Sequence, residues 1–447
     1  MTIKQTKNRC TRSSQGFSSA LPKQTLRIYR FWRLRILSSV VFGYATYYIV
    51  RANFAIAMPS LVEEGYSKAQ LGDMLFWWSL VYGVGKVVNG YWSDRSNARY
   101  FMGLGLLGAG LMSVGIALTT GTFFLISCLL ISSWFQSMGW PASARMLTHW
   151  FARKELGIKW ALGACSHQVG AAFIMIVGAY LVQNYGWRSA FLVPGVLAIA
   201  VSFYLLACLR DNPTEVNLPT VEVYKNDYSD VTSNTFHGES GERPNQKEIW
   251  KMVFANKMIW YVCFANMFLY IVRMGVLQWA PTFLKEFKGV NLLEAGHQAA
   301  GYELAGLMGG LVAGWLSDTY FKGQRGPVAT VYMVALMLAM LAFWQTPPGY
   351  YYVDMVTLAC VGFFVYGPQI LAGVASADFA SKHAVGTANG LVGAFASLGS
   401  ALSGAVVGRI SDTYGWNGGF IFFISAAALG AVAFGLTGWE LRRTLTQ

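Results

Sequence analysis

The sequence predicts an all-α membrane protein, twelve transmembrane helices arranged as two six-helix, pseudo-symmetric bundles. Composition is the first reason: 55% of the 447 residues are apolar and only 12% are charged, too apolar a balance for a water-soluble enzyme. The second is length, because twelve apolar runs each approach the ~20 residues that a helix needs to cross the hydrocarbon core. The third is repetition at a near-constant offset. Gly90-Tyr-Trp-Ser-Asp94 returns as Gly314-Trp-Leu-Ser-Asp318, 224 residues on, and Tyr185-Gly-Trp187 returns as Tyr414-Gly-Trp416, 229 residues on. Six spans per half give the copies one orientation, related about an axis along the membrane normal, with a ligand site expected between them near mid-membrane.

Taken in order, residues 1–35 read as a basic cytosolic tail. Nine of the 34 Lys and Arg lie between Lys4 and Arg35, and no apolar core of a cleavable leader precedes Ile36. A surface helix over 26–35 would turn its basic side chains to lipid headgroups. The spans follow at 36–58, 71–92, 101–120, 123–145, 157–182 and 190–209, an N-terminal bundle over 36–209. Residues 210–257 are polar, with Pro213, Pro219 and Pro244, and read as a cytosolic linker disordered in its middle. The C-terminal bundle, 258–438, holds spans at 258–280, 298–317, 327–345, 353–376, 385–408 and 417–438, and 439–447 form a short cytosolic tail.

An even number of spans puts both termini on one side, and the loop charges choose it. Most loop Lys and Arg fall on the side of the termini, while the other collects only Lys68, Arg188, Lys285, Lys288 and Arg409. Both ends are therefore expected in the cytosol. The same rule accounts for the net charge of +13, so the lipid bilayer is the expected partner and nucleic acid is not. Six scattered cysteines suggest neither a disulfide framework nor a metal site. No nucleophile–base pair or phosphate-cradling loop appears, so neither an enzyme nor a cofactor is expected.

The charges inside the spans carry the functional reading. Arg51 is the 16th residue of the 23-residue run 36–58, and Arg273 is the 16th of the 23-residue run 258–280. A cation at that depth costs ~2.5–3.5 kcal/mol even on lenient insertion scales, so it marks a function by default. Spans 1 and 7 offer no carboxylate, and Glu303 in span 8 can satisfy one arginine at most. Two planar guanidinium forks from opposite halves suit a dianion such as phosphate. Lys86 either snorkels to the headgroups or attracts the same anion. His167 is either a helix contact or a titrating site group. Tyr44, Tyr48, Tyr270 and Tyr366 bring hydroxyls to the central spans, as packing or as ligands. Asp94 with Arg95 and Arg99, and Asp318 with Arg325, are spaced to clamp helix ends and to release them when that face opens.

Gly90…Asp94-Arg95 followed by Arg99 resembles the marker of the major facilitator superfamily, and that resemblance runs the length of the chain. Further stretches, among them Tyr47-Tyr-Ile-Val-Arg-Ala-Asn-Phe54, Tyr82-Gly-Val-Gly-Lys86, Trp134-Phe-Gln-Ser-Met-Gly-Trp-Pro141, Tyr270-Ile-Val-Arg273 and Tyr366-Gly-Pro-Gln369, are similar to the organophosphate:inorganic phosphate antiporters. The resemblance implies that Arg51 and Arg273 grip the phosphate, with Lys86, His167, Tyr270 and Tyr366 around it. Glu303 matches the family's acidic residue in span 8. Departures are Ala52, where the family usually has Lys, and Gln278, where its glycerol-phosphate transporters have Asp. In span 11, Asn389 and Val392 stand where the principal bacterial hexose-phosphate transporter has Asp and Lys, which makes Asn389 a candidate sugar contact.

Residues 93–103 look most like the hexose-phosphate sensor branch. The implied function is exchange of a hexose phosphate, such as glucose 6-phosphate, for inorganic phosphate by alternating access in a bacterial inner membrane. The alternatives are a receptor for external hexose phosphate that signals to a membrane kinase partner, and a glycerol-3-phosphate:phosphate antiporter.

Overall fold

The computed structural model describes residues 22–225, 246–321, 323–380 and 385–446. Residues 1–21 of the expected tail, 226–245 of the expected linker, Lys322 and Lys382 lie outside them. The N-terminal half comprises α1 (Lys23–Glu63), α2 (Lys68–Arg95), α3 (Ala98–Leu118), α4 (Thr122–Trp150), α5 (Arg153–Tyr185) and α6 (Ser189–Cys208). The C-terminal half comprises α7 (Lys257–Glu286), α8 (Leu292–Thr319), α9 (Arg325–Gln345) and α10 (Tyr351–Phe379), then Val385–Thr446. That last stretch breaks at Gly415, φ 69°, into α11 (385–414) and α12 (416–446). A positive φ is free of strain only for glycine, so this residue permits the final turn.

Helices are what lipid demands, since each satisfies its own backbone. Their ends are closed by side chains. Ser67 and Gln70 form a reciprocal cap on α2, and Asn97, Asn256 and Asn291 accept the first free N–H groups of α3, α7 and α8. The outward faces stay apolar, with Leu118, Phe123, Val87 and Val432 all exposed. In water such a surface would be a liability; in a bilayer it is solvated.

Two expected boundaries are corrected. Residues 23–35 are not a tail but the first turns of α1, because Arg33 pairs with Glu155 and lies over the Phe151 ring, while Tyr29 is fully buried beside Trp150. The start of the expected linker is likewise folded onto the N-terminal half. A 3-10 turn at Pro213–Val216 leads to a short helix, Val221–Lys225, whose Tyr224 stacks on Tyr29 with ring centres 3.8 Å apart. On the far side, a helix at Gln246–Ala255 leads into α7.

The halves meet along α1–α7, α2–α11 and α5–α8. At the end of α2 remote from the termini, the backbones touch. A Cβ on Gly72 would fall 2.4 Å from the Gly404 carbonyl oxygen, a distance that only glycine allows. Ion pairs rim this contact: Lys68–Glu286 at 2.9 Å, Lys285–Glu63 at 2.6 Å and Arg409–Asp73 at 2.7 Å. Asp412 adds a cap, accepting the backbone N–H of Ala69 at 2.7 Å. Among the described residues, the hydrogen bonds and ion pairs between the halves lie at mid-helix or on this side. The face away from the termini is closed.

Candidate substrate-binding site

Between the halves lies a cavity of about 290 Å³. Eight of the ten expected ligands line it: Tyr44, Tyr48 and Arg51 from α1, Lys86 from α2, His167 from α5, Tyr270 and Arg273 from α7, and Asn389 from α11. Helical geometry puts the three α1 residues together, because positions 44, 48 and 51 recur at i, i+4 and i+7 on one face.

Arg51 is held by rings. Its guanidinium lies 4.1 Å from the Tyr82 ring centre, 4.7 Å from Trp78 and 5.1 Å from Tyr48. No carboxylate pairs with it among the described residues. Such contacts stabilise a cation by ~0.5–2 kcal/mol each without cancelling its charge, so Arg51 remains a site for an anion. Lys86 Nζ lies 4.9 Å from the centre of the same Tyr82 ring, and the residue lines the cavity.

Arg273 is more deeply set. It is 5% exposed, lies 4.8 Å from the Tyr366 ring centre, and donates from Nη2 to the Tyr366 hydroxyl at 3.4 Å, leaving its Nε without a partner. Tyr366 in turn donates to Glu303 at 2.6 Å. Neither Tyr366 nor Glu303 lines the cavity. Gly306 lets the Tyr366 ring press onto α8, where a Cβ would fall 2.1 Å from the ring, and Glu303 on that helix is buried. These two residues therefore stand behind Arg273 and orient it.

His167 spans the halves, its ring centre 4.8 Å from Tyr48 and 6.2 Å from Tyr366. Nδ1 donates to the Ala164 carbonyl and Nε2 has no partner. Asn389 accepts from Ser376 near the mouth. Sequence reasoning missed Trp78, Tyr82 and Trp140, which complete the aromatic wall, and Asn266 and Gln369 on the opposite wall. The Tyr82-Gly-Val-Gly-Lys86 stretch held the signal for Tyr82, four residues before Lys86.

The expected clamps divide. Arg325 binds Asp318, Ser317 Oγ at 2.9 Å and Asp378 at 3.5 Å, tying α8, α9 and α10. The N-terminal copy does not form as expected. Asp94 is exposed, Arg95 lies over the Tyr91 ring at 3.6 Å, and Arg99 donates to the Leu206 carbonyl. Arg145 of α4 takes over the role, forking onto Asp211 at 3.0 and 3.1 Å and onto the carbonyls of Ser93 and Asp94 at 2.8 and 2.6 Å. Arg145 reaches the end of α2 from inside the half, which leaves the Asp94 carboxylate to solvent.

The family model for the Major Facilitator Superfamily matches residues 40–372. A "Probable hexose phosphate transport protein" of Chlamydia muridarum is 37% identical over 427 residues, 94% of this chain and 93% of the relative. The chain belongs to the major facilitator superfamily, in its organophosphate:inorganic phosphate antiporter family. A glycerol-3-phosphate transporter of Bacillus subtilis is 37% identical over 92% of this chain and 93% of its own. The membrane sensor protein UhpC of Escherichia coli is 37% identical over 90% and 92%. The relatives are transport proteins and a membrane sensor, not enzymes. Among solved structures, a bacterial homologue of the human lysosomal transporter Spinster, in an inward-facing and unoccupied conformation, superposes with a TM-score of 0.74. It is 15% identical, covering 91% of this chain and 97% of that one, and so shares the major facilitator fold.

Proposed function

We propose that this chain exchanges a hexose phosphate for inorganic phosphate by alternating access, in a bacterial inner membrane with both termini in the cytosol. One observation carries the reading: Arg51 and Arg273, from opposite halves, line one cavity, and Arg51 has rings but no carboxylate around it among the described residues. A phosphate dianion bridging the two guanidiniums would supply the missing charge from both halves at once. Lys86 would draw the anion in from the mouth, and Tyr366 with Glu303 would hold Arg273 in place. Closing an empty cavity would dehydrate Arg51 with no counter-charge, whereas closing it on a dianion that bridges Arg51 and Arg273 would not. The loaded protein then reorients and the empty one stays, which makes exchange the favoured mode. The relatives named for hexose phosphate and glycerol 3-phosphate support the substrate class.

The test uses purified protein in sealed vesicles. Uptake of labelled glucose 6-phosphate should be fast with phosphate inside and nearly absent with an inert anion inside. Equal uptake in both would mean a uniporter or an ion-coupled symporter. The equally similar UhpC keeps one other reading open. Binding without transport in either condition would make the chain a sensor of hexose phosphate.

A further inference from the structure

We infer that Asn266 receives a hydroxyl from the sugar end of the substrate. This deepens the exchange reading and rests on it, since it takes the phosphate to lie at Arg51 and Arg273. Asn266, Tyr270 and Arg273 recur at i, i+4 and i+7, so they share one face of α7. Seven residues of helix place Asn266 ~10 Å from Arg273 along the axis, on the side of the termini. That is beyond the reach of a phosphate ion held by the arginines and within reach of a phosphorylated hexose.

The amide is buried, at 5% exposure, and lines the cavity. Its Nδ2 donates to the Val392 carbonyl of α11 at 3.1 Å, which fixes the way round the amide sits. Oδ1 is then an acceptor with no partner. A buried acceptor without a donor is rare and costly, and calls for an explanation. Gln369, one turn from Tyr366 on α10, lines the same cavity and has a second buried oxygen without a partner. Opposite them on the N-terminal half, Tyr44 and Trp140 form an aromatic wall with ring centres 5.1 Å apart.

The site thus has opposite polarity at its two ends. Arginines, which only donate, line one end, and two amide side chains whose oxygens have no partner line the other. A sugar phosphate has the matching polarity, an acceptor-only phosphate joined to hydroxyls that donate, with C–H faces suited to aromatic rings. Inorganic phosphate engages one end alone.

The test compares Asn266→Ala with the unmodified protein in phosphate-loaded vesicles, measuring half-saturating glucose 6-phosphate and inorganic phosphate. The ratio of the two should rise ~10-fold, the cost of leaving one polar partner unmatched. In the unmodified protein, one member of a deoxy-glucose 6-phosphate series should bind ~10-fold more weakly than its parent, and that loss should vanish in the variant. Asn266→Ser is carried alongside in case the alanine variant does not insert. An unchanged ratio, with every deoxy analogue equal to its parent, would mean that Asn266 only ties α7 to α11 and would overturn the inference alone. Failure of the unmodified protein to take either phosphate or glucose 6-phosphate would overturn the exchange reading, and this inference with it.

Discussion

Arg51 and Arg273 illustrate how a membrane site is assembled from costs that are only partly offset. Burial of each guanidinium costs ~2.5–3.5 kcal/mol, and aromatic contacts return ~0.5–2 kcal/mol apiece. What they do not return is neutrality. A lysine at either position would keep the charge and lose the planar fork that binds phosphate through two parallel hydrogen bonds. Arg51→Lys or Arg273→Lys is therefore expected to weaken phosphate binding ~100-fold or more with insertion intact, measured by ligand-induced thermal shift and by exchange. Binding within a few-fold of normal would remove these residues from the site. The arginines and their neighbouring tyrosines were legible in the sequence because charge is scarce in a membrane span and helical spacing decides which residues share a face. Trp78 and Trp140 were not, because aromatic residues fill membrane helices everywhere and only packing singles out those that line a cavity. Glu303 was legible as a charge but not as a group standing behind Tyr366, since that depends on the ring seated at Gly306.

At the scale of helices, most of the twelve spans were readable from apolar length. Eight helical stretches among the described residues are long and apolar enough to cross a membrane. The Asp318–Arg325 clamp was readable from a separation of seven residues. The clamp of the other half was not, because Arg145 and Asp211 are 66 residues apart and meet only after α4 and the end of α6 are packed. The same limit hid the early start of α1, whose first turns meet Glu155 and Trp150 and carry Tyr29 stacked on Tyr224. The Asp211 side chain is 5% exposed. Removing Arg145 leaves that buried carboxylate, among the described residues, with only the Ala98 N–H and a His149 ring 3.9 Å away, at a cost of up to ~3–5 kcal/mol. Arg145→Ala should thus lower the melting temperature clearly, and the Arg145→Ala, Asp211→Ala double variant should lose much less than the sum of the two singles. Asp94→Asn, at an exposed carboxylate, should leave the melting temperature within a degree or two of normal, by the rule that surface changes are worth about ±0.5 kcal/mol. A large drop for Asp94→Asn, or additive losses for the pair, would reassign the clamp to the residues that the sequence suggested.

As a whole, the molecule is two half-bundles pressed together at one end. What presses them is of two kinds, glycine-to-carbonyl contacts such as Gly72 against Gly404, and the rim of Lys68–Glu286, Lys285–Glu63 and Arg409–Asp73. Partly exposed pairs of this sort contribute ~0.2–1 kcal/mol each, so three of them hold a conformational balance without locking it. They also sit in the solution that bathes that face, while the Arg145–Asp211 clamp lies at the other end and is largely shielded by protein. Dissolved ions reach the first set and scarcely reach the second. The distance over which charges feel one another shrinks from ~8 Å at physiological ionic strength to ~3 Å at 1 M. Salinity on one side of the membrane therefore becomes a control on the resting posture of the carrier. In vesicles of known orientation, an inert salt added only at the rim side should speed the opening of that face several-fold, an effect abolished by Lys68→Ala, Lys285→Ala and Arg409→Ala together. The same salt on the side of the termini should change little, and equal responses on both sides would mean that the rim does not set the balance. On the proposed orientation, a cell carrying this protein would find its uptake tuned by the brine outside and indifferent to inert salt within.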